Sequence, residues 1–353
     1  MSEFDGHTPA QLGYQMPAEW EDHAATWITW PWNPETWPGK FEPIPDVYAR
    51  FVRVLAESED VHILVNGPEV MAAAMRTLRQ HRADAPNVHL HDIPNNDVWI
   101  RDYGPIFVRG GTESPGPLLA TKWEYNAWGG KYPPWDADNA AGRAVAKLAG
   151  CPLMPGGMVL EGGSIDVDGA GNLITTEQCL LNPNRNPDLT REDIEQRLRD
   201  FLGVQQVLWL GKGIEGDDTD GHVDDLTRFV APGTVVTVVE PDAGEANHAP
   251  LRDNLRRLHE MRTADGKPLE VLELPMPRPM RYEGNPLPAS YANFYITNGA
   301  VVVPVFGQED RDSRALGVLG ECFPGRRVTG IYAADLVWGF GAFHCITQQQ
   351  PLV

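Results

Sequence analysis

A strand–turn–strand signal recurs along the chain at a nearly constant interval. "GSIDVDGAGNLITTE", "LTRFVAPGTVVTVVE" and "NFYITNGAVVVPVFG" each set two β-rich runs around a glycine-containing turn, at Gly169, Gly233 and Gly299, which are 64 and 66 residues apart. Such runs predict hairpins, and Asn298-Gly299 is the strongest turn pair of the three. A helix-like segment follows each hairpin: "TREDIEQRLRDFLG", "GEANHAPLRDNLRRLHEMR" and "QEDRDSRALGVLGECF". The first opens on Thr190 with Asp193 where a capping box has Glu or Gln. Short apolar runs come next, "VQQVLWLG", "LEVLELP" and "RRVTGIYA". The repeated unit is therefore ββαβ.

Upstream, "VWIRDYGPIFVRG" and "LLATKWEYN" predict a looser hairpin with "DADNAAGRAVAKLAG" as its helix, and "ATWITWP", "PDVYARFVRVLAESE" and "DVHILVNG" open another unit. A period of about 65 residues in 353 gives about five units, which predicts a cyclic array. The expectation is one pseudo-symmetric α/β domain over residues 1–353, since the rival of two domains needs a linker or composition break that the chain does not show. No run of 18 apolar residues predicts a membrane-spanning helix, and "MSEFDGHTPAQLGYQ" lacks the pattern of a secretory signal.

Overlaying polar residues on the repeat brings out Asp97, Glu161 and Asp224, spaced 64 and 63 residues apart, each at or just before the first strand of a hairpin. In a cyclic array, equivalent positions approach one axis, so three carboxylates are expected to converge there, with Cys345 closing the ring beside them. Clustered carboxylates persist only with a cation or a shared proton. A metal is disfavoured, because only His222 accompanies the set and Cys345 is a poor ligand for a hard cation. A guanidinium fits better, being planar with N–H donors matched to paired carboxylates. A formal charge of −20 argues against nucleic acid and anionic membranes as partners. It is compatible with a cationic substrate, although solubility alone explains the bulk charge.

The four cysteines, Cys151, Cys179, Cys322 and Cys345, form no short metal-ligand spacing and point to a reducing, cytoplasmic compartment. Cys345 is the candidate nucleophile. His344 beside it points to the opposite face of an extended backbone and reads as a packed or surface histidine. His222 is two residues from Asp224, so on an extended segment the two share a face. Taken singly each of these residues has an ordinary explanation, as a turn, loop, core or surface group. Their joint spacing and complementary chemistry carry the functional reading.

"QMPAEWEDHAATWITWP", "NNDVWIRDYGPIFV", "LEGGSIDVDGAGNLITTEQCLLNPNRNP", "DDTDGHVDD", "ASYANFYITNGAVVVPVFG" and "HCITQQQP" together resemble the agmatine deiminases of the Porphyromonas-type peptidylarginine deiminase family, in order and over nearly the whole chain, from Met16 to Pro351. The resemblance implies a five-bladed α/β propeller, the pentein fold of guanidino-group-modifying enzymes. It implies Cys345 as nucleophile, His222 as general acid/base and Glu161 as the carboxylate orienting it. Asp97 and Asp224 would grip the guanidinium, with Asp218 and Trp99 as further substrate contacts. It also implies no metal or organic cofactor, and a homo-oligomer.

The implied reaction is agmatine plus water to N-carbamoylputrescine and ammonia, through an amidino-cysteine intermediate. Deimination of another guanidino compound, free or peptidyl arginine included, is the alternative. An amidinotransferase or a non-catalytic guanidine-binding protein is further off.

The chain departs from the family pattern at "DDTDGH", where Asp218 replaces Glu, at "GFGAFHC", and at "DYGP" with Tyr103. These departures are expected to alter the walls around the substrate's tail. Asp217 and Asp218 would favour a cationic tail, and the shorter Asp218 would leave room for a longer one. Phe340 and Phe343, facing inward, would flank an alkyl chain. Arg101 is read as a structural partner for a neighbouring acid.

Overall fold

The computed structural model describes residues 6–353. Five sheets of three or four strands, plus a two-stranded ribbon, are present among them. In one, Ile106–Gly110 runs antiparallel to Leu118–Glu124, the helix Asp136–Leu148 crosses over, and Leu153–Val159 returns parallel. The pattern repeats with Asp166–Val167, Asn172–Thr176, helix Arg191–Leu202 and Gln206–Leu210. It repeats again with Thr227–Ala231, Thr234–Val239, helix His248–Glu260 and Glu270–Pro275. The fourth set is Tyr295–Ile296, Ala300–Val305, helix Glu309–Cys322 and Arg327–Tyr332.

The fifth sheet draws on both ends of the described chain. Thr347–Pro351 pairs antiparallel with His23–Thr29, whose parallel neighbour Asp60–Val65 follows the helix Ile44–Leu55. A further helix, Gly67–Gln80, and strand, Val88–Asp92, which the periodic reading did not pick out, extend this sheet.

Middle strands such as "TVVTVV" and "AVVVPV" are buried along most of their length, as expected of strands covered on both faces and joined by helical crossovers. The crossover helices bury one stripe each. On Ile44–Leu55 that stripe includes Ile44, Val47, Tyr48, Phe51, Val52 and Leu55, at helical spacing. Thr190 does head its helix through a reciprocal box in which Asp193 stands in for Glu. The Asp193 N–H donates to Thr190 Oγ1 at 3.2 Å, and the Thr190 N–H donates to Asp193 Oδ2 at 3.0 Å. The helix stops at Gly203, left-handed at φ 68°, where a Cβ would sit 2.5 Å from the Tyr14 carbonyl oxygen.

Two local expectations give way. The Asn298-Gly299 hairpin forms without the positive-φ pair that a type I′ turn needs. The Asn298 side chain instead ties neighbouring elements together, accepting from His23 N–H at 2.7 Å and donating to the His23 carbonyl at 2.9 Å. The stretch ahead of Ile106 is a single helical turn, Ile100–Tyr103, rather than the start of a strand. No helix among the described residues is long and apolar enough to cross a membrane.

Candidate active site

The same place in each unit, two to four residues before its first strand, supplies one residue to a common cluster. Asp102 precedes Ile106, Gly163 precedes Asp166, Asp224 precedes Thr227, Asn293 precedes Tyr295 and Cys345 precedes Thr347. Three of these places are short helical turns, Ile100–Tyr103, Gly162–Ser164 and Val223–Asp225. His222 is the residue that enters the last of them, so the extended segment expected around His222 and Asp224 is absent. The two side chains nevertheless meet at Gly163.

The Cys345 thiol is buried. Asn293 Nδ2 donates to its sulfur at 3.0 Å, and the sulfur lies 3.5 Å from Asp224 Oδ2. Burial, then the carboxylates of Asp224, Asp225 and Asp102, push the thiol pKa well above its ordinary value, and the Asn293 amide only partly opposes them. Asp224 is pinned from behind. Its Oδ2 is 2.7 Å from His344 Nδ1, while Oδ1 is buried without a partner. His344 Nε2 in turn meets Glu19 Oε2 at 2.9 Å, and Arg228 donates to the same oxygen at 2.9 Å. His344 is thus packed and does not touch the sulfur, but it supports Asp224, a role sequence alone did not suggest. Burial opposes ionisation of Glu19, and Arg228, His344 and Arg101 outweigh it, holding its pKa well below the usual carboxylate range. Arg101 is structural, as expected. Buried, it donates to Gln349 Oε1 at 2.6 Å and lies 3.6 Å from Glu19 Oε2.

His222 is fully buried, with Nδ1 3.8 Å from Asp102 Oδ1. Burial opposes its protonation. Asp102 outweighs this, Cys179 and Asp224 act in the same sense, and the imidazole pKa rises well above its ordinary value. Neither ring nitrogen has a hydrogen bond of good geometry, so the influence of Cys179 comes from proximity. Atoms of Glu161, Cys179 and His222 lie within 4.8 Å of one another. Glu161, expected to orient His222, is near it but hydrogen-bonded elsewhere. Its Oε1 accepts from Arg185 Nε at 2.6 Å, and Arg185 also holds Asp220 Oδ2 at 2.7 Å and the Thr219 carbonyl at 2.7 Å. The carboxylate in ion-pair range of the imidazole is that of Asp102, which accepts from Gly163 N–H at 2.9 Å and Trp128 Nε1 at 2.9 Å. Asp102, Arg185 and Asn293 lie inside quoted motifs. Their common signal was the position just before a strand, for Asp102 and Asn293, and the "NPNRNP" turn for Arg185.

A cavity of about 720 Å³ opens onto Cys345, with Asp97, Trp99 and Asp102 among its walls. Asp97 accepts from Thr36 Oγ1 at 3.0 Å and from Val98 N–H at 2.8 Å. Asp224, His222 and Glu161 do not line the cavity and lie behind its floor, so Asp97 and Asp224 do not flank it as an open pair. Asp218 lines the mouth, hydrogen-bonded by Tyr132. Asp217 does not, because its carboxylate is consumed by the N–H groups of Thr219, Gly221 and His222 in shaping the loop. Phe340 lines the cavity at φ 71°, whereas Phe343 is buried against Phe51 with ring centroids 4.9 Å apart. Tyr103 is also no wall residue. It is buried, and its hydroxyl donates to the Asp97 carbonyl at 3.1 Å.

The sequence model of the Porphyromonas-type peptidyl-arginine deiminases matches residues 15–351. The chain belongs to this deiminase family. An agmatine deiminase of Ectopseudomonas mendocina (strain ymp) is 38% identical over 367 residues, covering 98% of this chain and 97% of the relative. The solved agmatine deiminase of Enterococcus faecalis is 35% identical, covers 98% of each chain and superposes with a TM-score of 0.90. A substrate-bound C. jejuni agmatine deiminase carrying a cysteine-to-serine substitution is 30% identical, covers 96% of each chain and gives a TM-score of 0.86.

In this deiminase-family chain, the two cavity-floor carboxylates set an acid limb. Burial lifts Asp97 to about 6, against hydrogen bonds that favour its anion. Burial also lifts Asp102 to about 6, with His222 opposing and Asp224 and Glu161 reinforcing. Below that pH both are protonated and lose their attraction for a cation. The expected result is a kcat/KM for a cationic guanidino substrate that falls as pH drops through about 6. A pH–rate series shows it, and a profile flat down to the ordinary carboxylate range contradicts it.

Proposed function

We propose that the chain hydrolyses agmatine to N-carbamoylputrescine and ammonia, working as a single five-bladed α/β propeller with its site on the pseudo-symmetry axis. The observation that carries this reading is a buried thiol at the floor of a cavity whose walls are acidic. Five carboxylates line it, from Glu35, Asp97, Asp102, Asp138 and Asp218, against one basic residue, Lys131. Its sole cation is already engaged, Lys131 Nζ being 3.0 Å from Asp220 Oδ1 and 2.6 Å from the Asp218 carbonyl. A cationic guanidino compound is the complementary occupant.

The chemistry follows from the groups in place. The substrate's charge offsets the carboxylates that hold Cys345 neutral, and so favours the thiolate when substrate arrives. Sulfur attacks the guanidinium carbon. The resulting tetrahedral adduct expels ammonia, which takes a proton from His222, whose pKa, raised against burial chiefly by Asp102, favours the protonated form. Water then attacks the amidino-thioether, giving its proton to the now neutral His222. Collapse breaks the C–S bond, gives up the hydroxyl proton to solvent, and releases the neutral ureido product and the thiolate. Four free cysteines, none paired, fit the reducing cytoplasm.

Parallel assays on agmatine, its one-carbon-longer homologue and arginine test the substrate. Arginine's carboxylate would face the acidic walls, and leaving it desolvated and unpaired costs several kcal/mol. We expect agmatine to be preferred over arginine in kcat/KM by on the order of a hundredfold or more. Lys131, if it left Asp220, is the one wall residue that could serve arginine. A preference for arginine would overturn agmatine as substrate and leave deimination standing, and ammonia release from none of the three would overturn both.

A further inference from the structure

We propose that Glu161, Cys179 and His222 form a binding site for a single thiophilic divalent cation, Zn²⁺ being the type, and that occupancy switches the enzyme off by taking His222 out of the reaction. One ligand atom from each residue lies within 4.8 Å of the other two, and all three side chains are buried. The ligand types, one thiolate, one imidazole and one carboxylate oxygen, suit a borderline-soft tetrahedral ion and not a hard one.

Independent of that spacing, three buried polar atoms here have no partner: Glu161 Oε2, His222 Nδ1 and His222 Nε2. Buried polar atoms are nearly always satisfied, so three orphans in one spot call for an occupant. Arg185 neutralises only the other oxygen, Oε1, and fixes the Glu161 carboxylate so that Oε2 faces free. The surroundings favour added positive charge. Asp102 is 3.8 Å from His222 Nδ1, and Asp224 Oδ2 lies 2.9 Å from where a Gly163 Cβ would stand, as does Asp102 Oδ1. Asp102 also lines the cavity, and the three proposed ligands, all fully buried, lie on the far side of it from the cavity. Binding forms a sulfur–metal bond at Cys179 and a nitrogen–metal bond at His222, and releases to solvent both the thiol proton and the proton that the imidazolium carries.

The inhibitory half of the proposal rests on His222 acting as the acid and base of the deiminase reaction, and the binding half does not. The metal-free protein is titrated with Co²⁺, whose bond to a thiolate gives a near-ultraviolet charge-transfer band. The expected result is a band that saturates at one equivalent, is lost in both Cys179→Ala and Cys179→Ser, and survives in Cys345→Ala. Circular dichroism of the variants shows that they fold. No band in the unsubstituted protein, a band that survives in both Cys179 variants, or one that disappears in Cys345→Ala overturns the site.

Zn²⁺ is then added to the ammonia-release assay. Inhibition at one equivalent, relieved by a chelator and at least tenfold weaker in whichever Cys179 variant retains turnover, is expected. A cobalt band without inhibition overturns the switch and the role of His222 while leaving the metal site in place.

Discussion

Serine in place of Cys345 leaves the five sheets folded and removes turnover, by on the order of 10⁴-fold to 10⁶-fold in kcat as for other nucleophile replacements. The substitution keeps the shape of the side chain and its neighbours, Asn293 Nδ2 at 3.0 Å and Asp224 Oδ2 at 3.5 Å. What it loses is nucleophilicity, because a hydroxyl is ionised far less readily than a thiol near neutral pH. Mass spectrometry on a His222→Asn variant, in which water has no base to activate it, should find the amidino adduct on Cys345. An adduct on Cys151, Cys179 or Cys322 would displace Cys345 from its role.

Alanine at position 163 is expected to disable the site without replacing any group that performs chemistry. A Cβ there would stand 2.6 Å from His222 Nδ1, 2.9 Å from Asp102 Oδ1 and 2.9 Å from Asp224 Oδ2. All three side chains have to withdraw at once, and displacements approaching 1 Å cost about 10²-fold in rate. Overpacking of this kind also costs about 1–3 kcal/mol of stability. The measurements are kcat and the thermal midpoint of the purified variant. A kcat within a few-fold of the unsubstituted enzyme would mean that the cluster tolerates displacement and that its tight geometry is incidental.

The repeated sheets were legible because each hairpin needs a turn and each turn leaves a mark, Gly169 and Gly233 both standing at positive φ. The added helix Gly67–Gln80 and strand Val88–Asp92 were not, since they extend one unit only and break the period. In the site, Asp97, Glu161 and Asp224 stand out by spacing, although they lie nine, five and three residues before their strands and so are not equivalent positions. Cys345 stands out as closing the ring, and His222 by its neighbours. Asp102 and Asn293 are marked only by standing just before a strand and Arg185 only by its turn, and the contacts between units that bring them and Gly163 together are not written in either mark. Asn293, for instance, reaches Cys345 across 52 residues of chain. Asp217 and Phe343 misled for the converse reason: their types suit a substrate pocket, but a loop and a packed core claim them first.

The pairing of Thr347–Pro351 with His23–Thr29 also sets an order of events. Contacts between segments more than 300 residues apart carry a large loop-closure cost and form late. Cys345 stands two residues before that strand, so its sulfur reaches Asn293 and Asp224 only when the strand docks. A chain with its other four sheets assembled and this strand undocked has an acidic hollow and no reactive thiol inside it. If Cys345 is the nucleophile, as proposed, activity is expected to return only once this last strand has docked, and a regain of activity that precedes its docking during refolding would contradict that order.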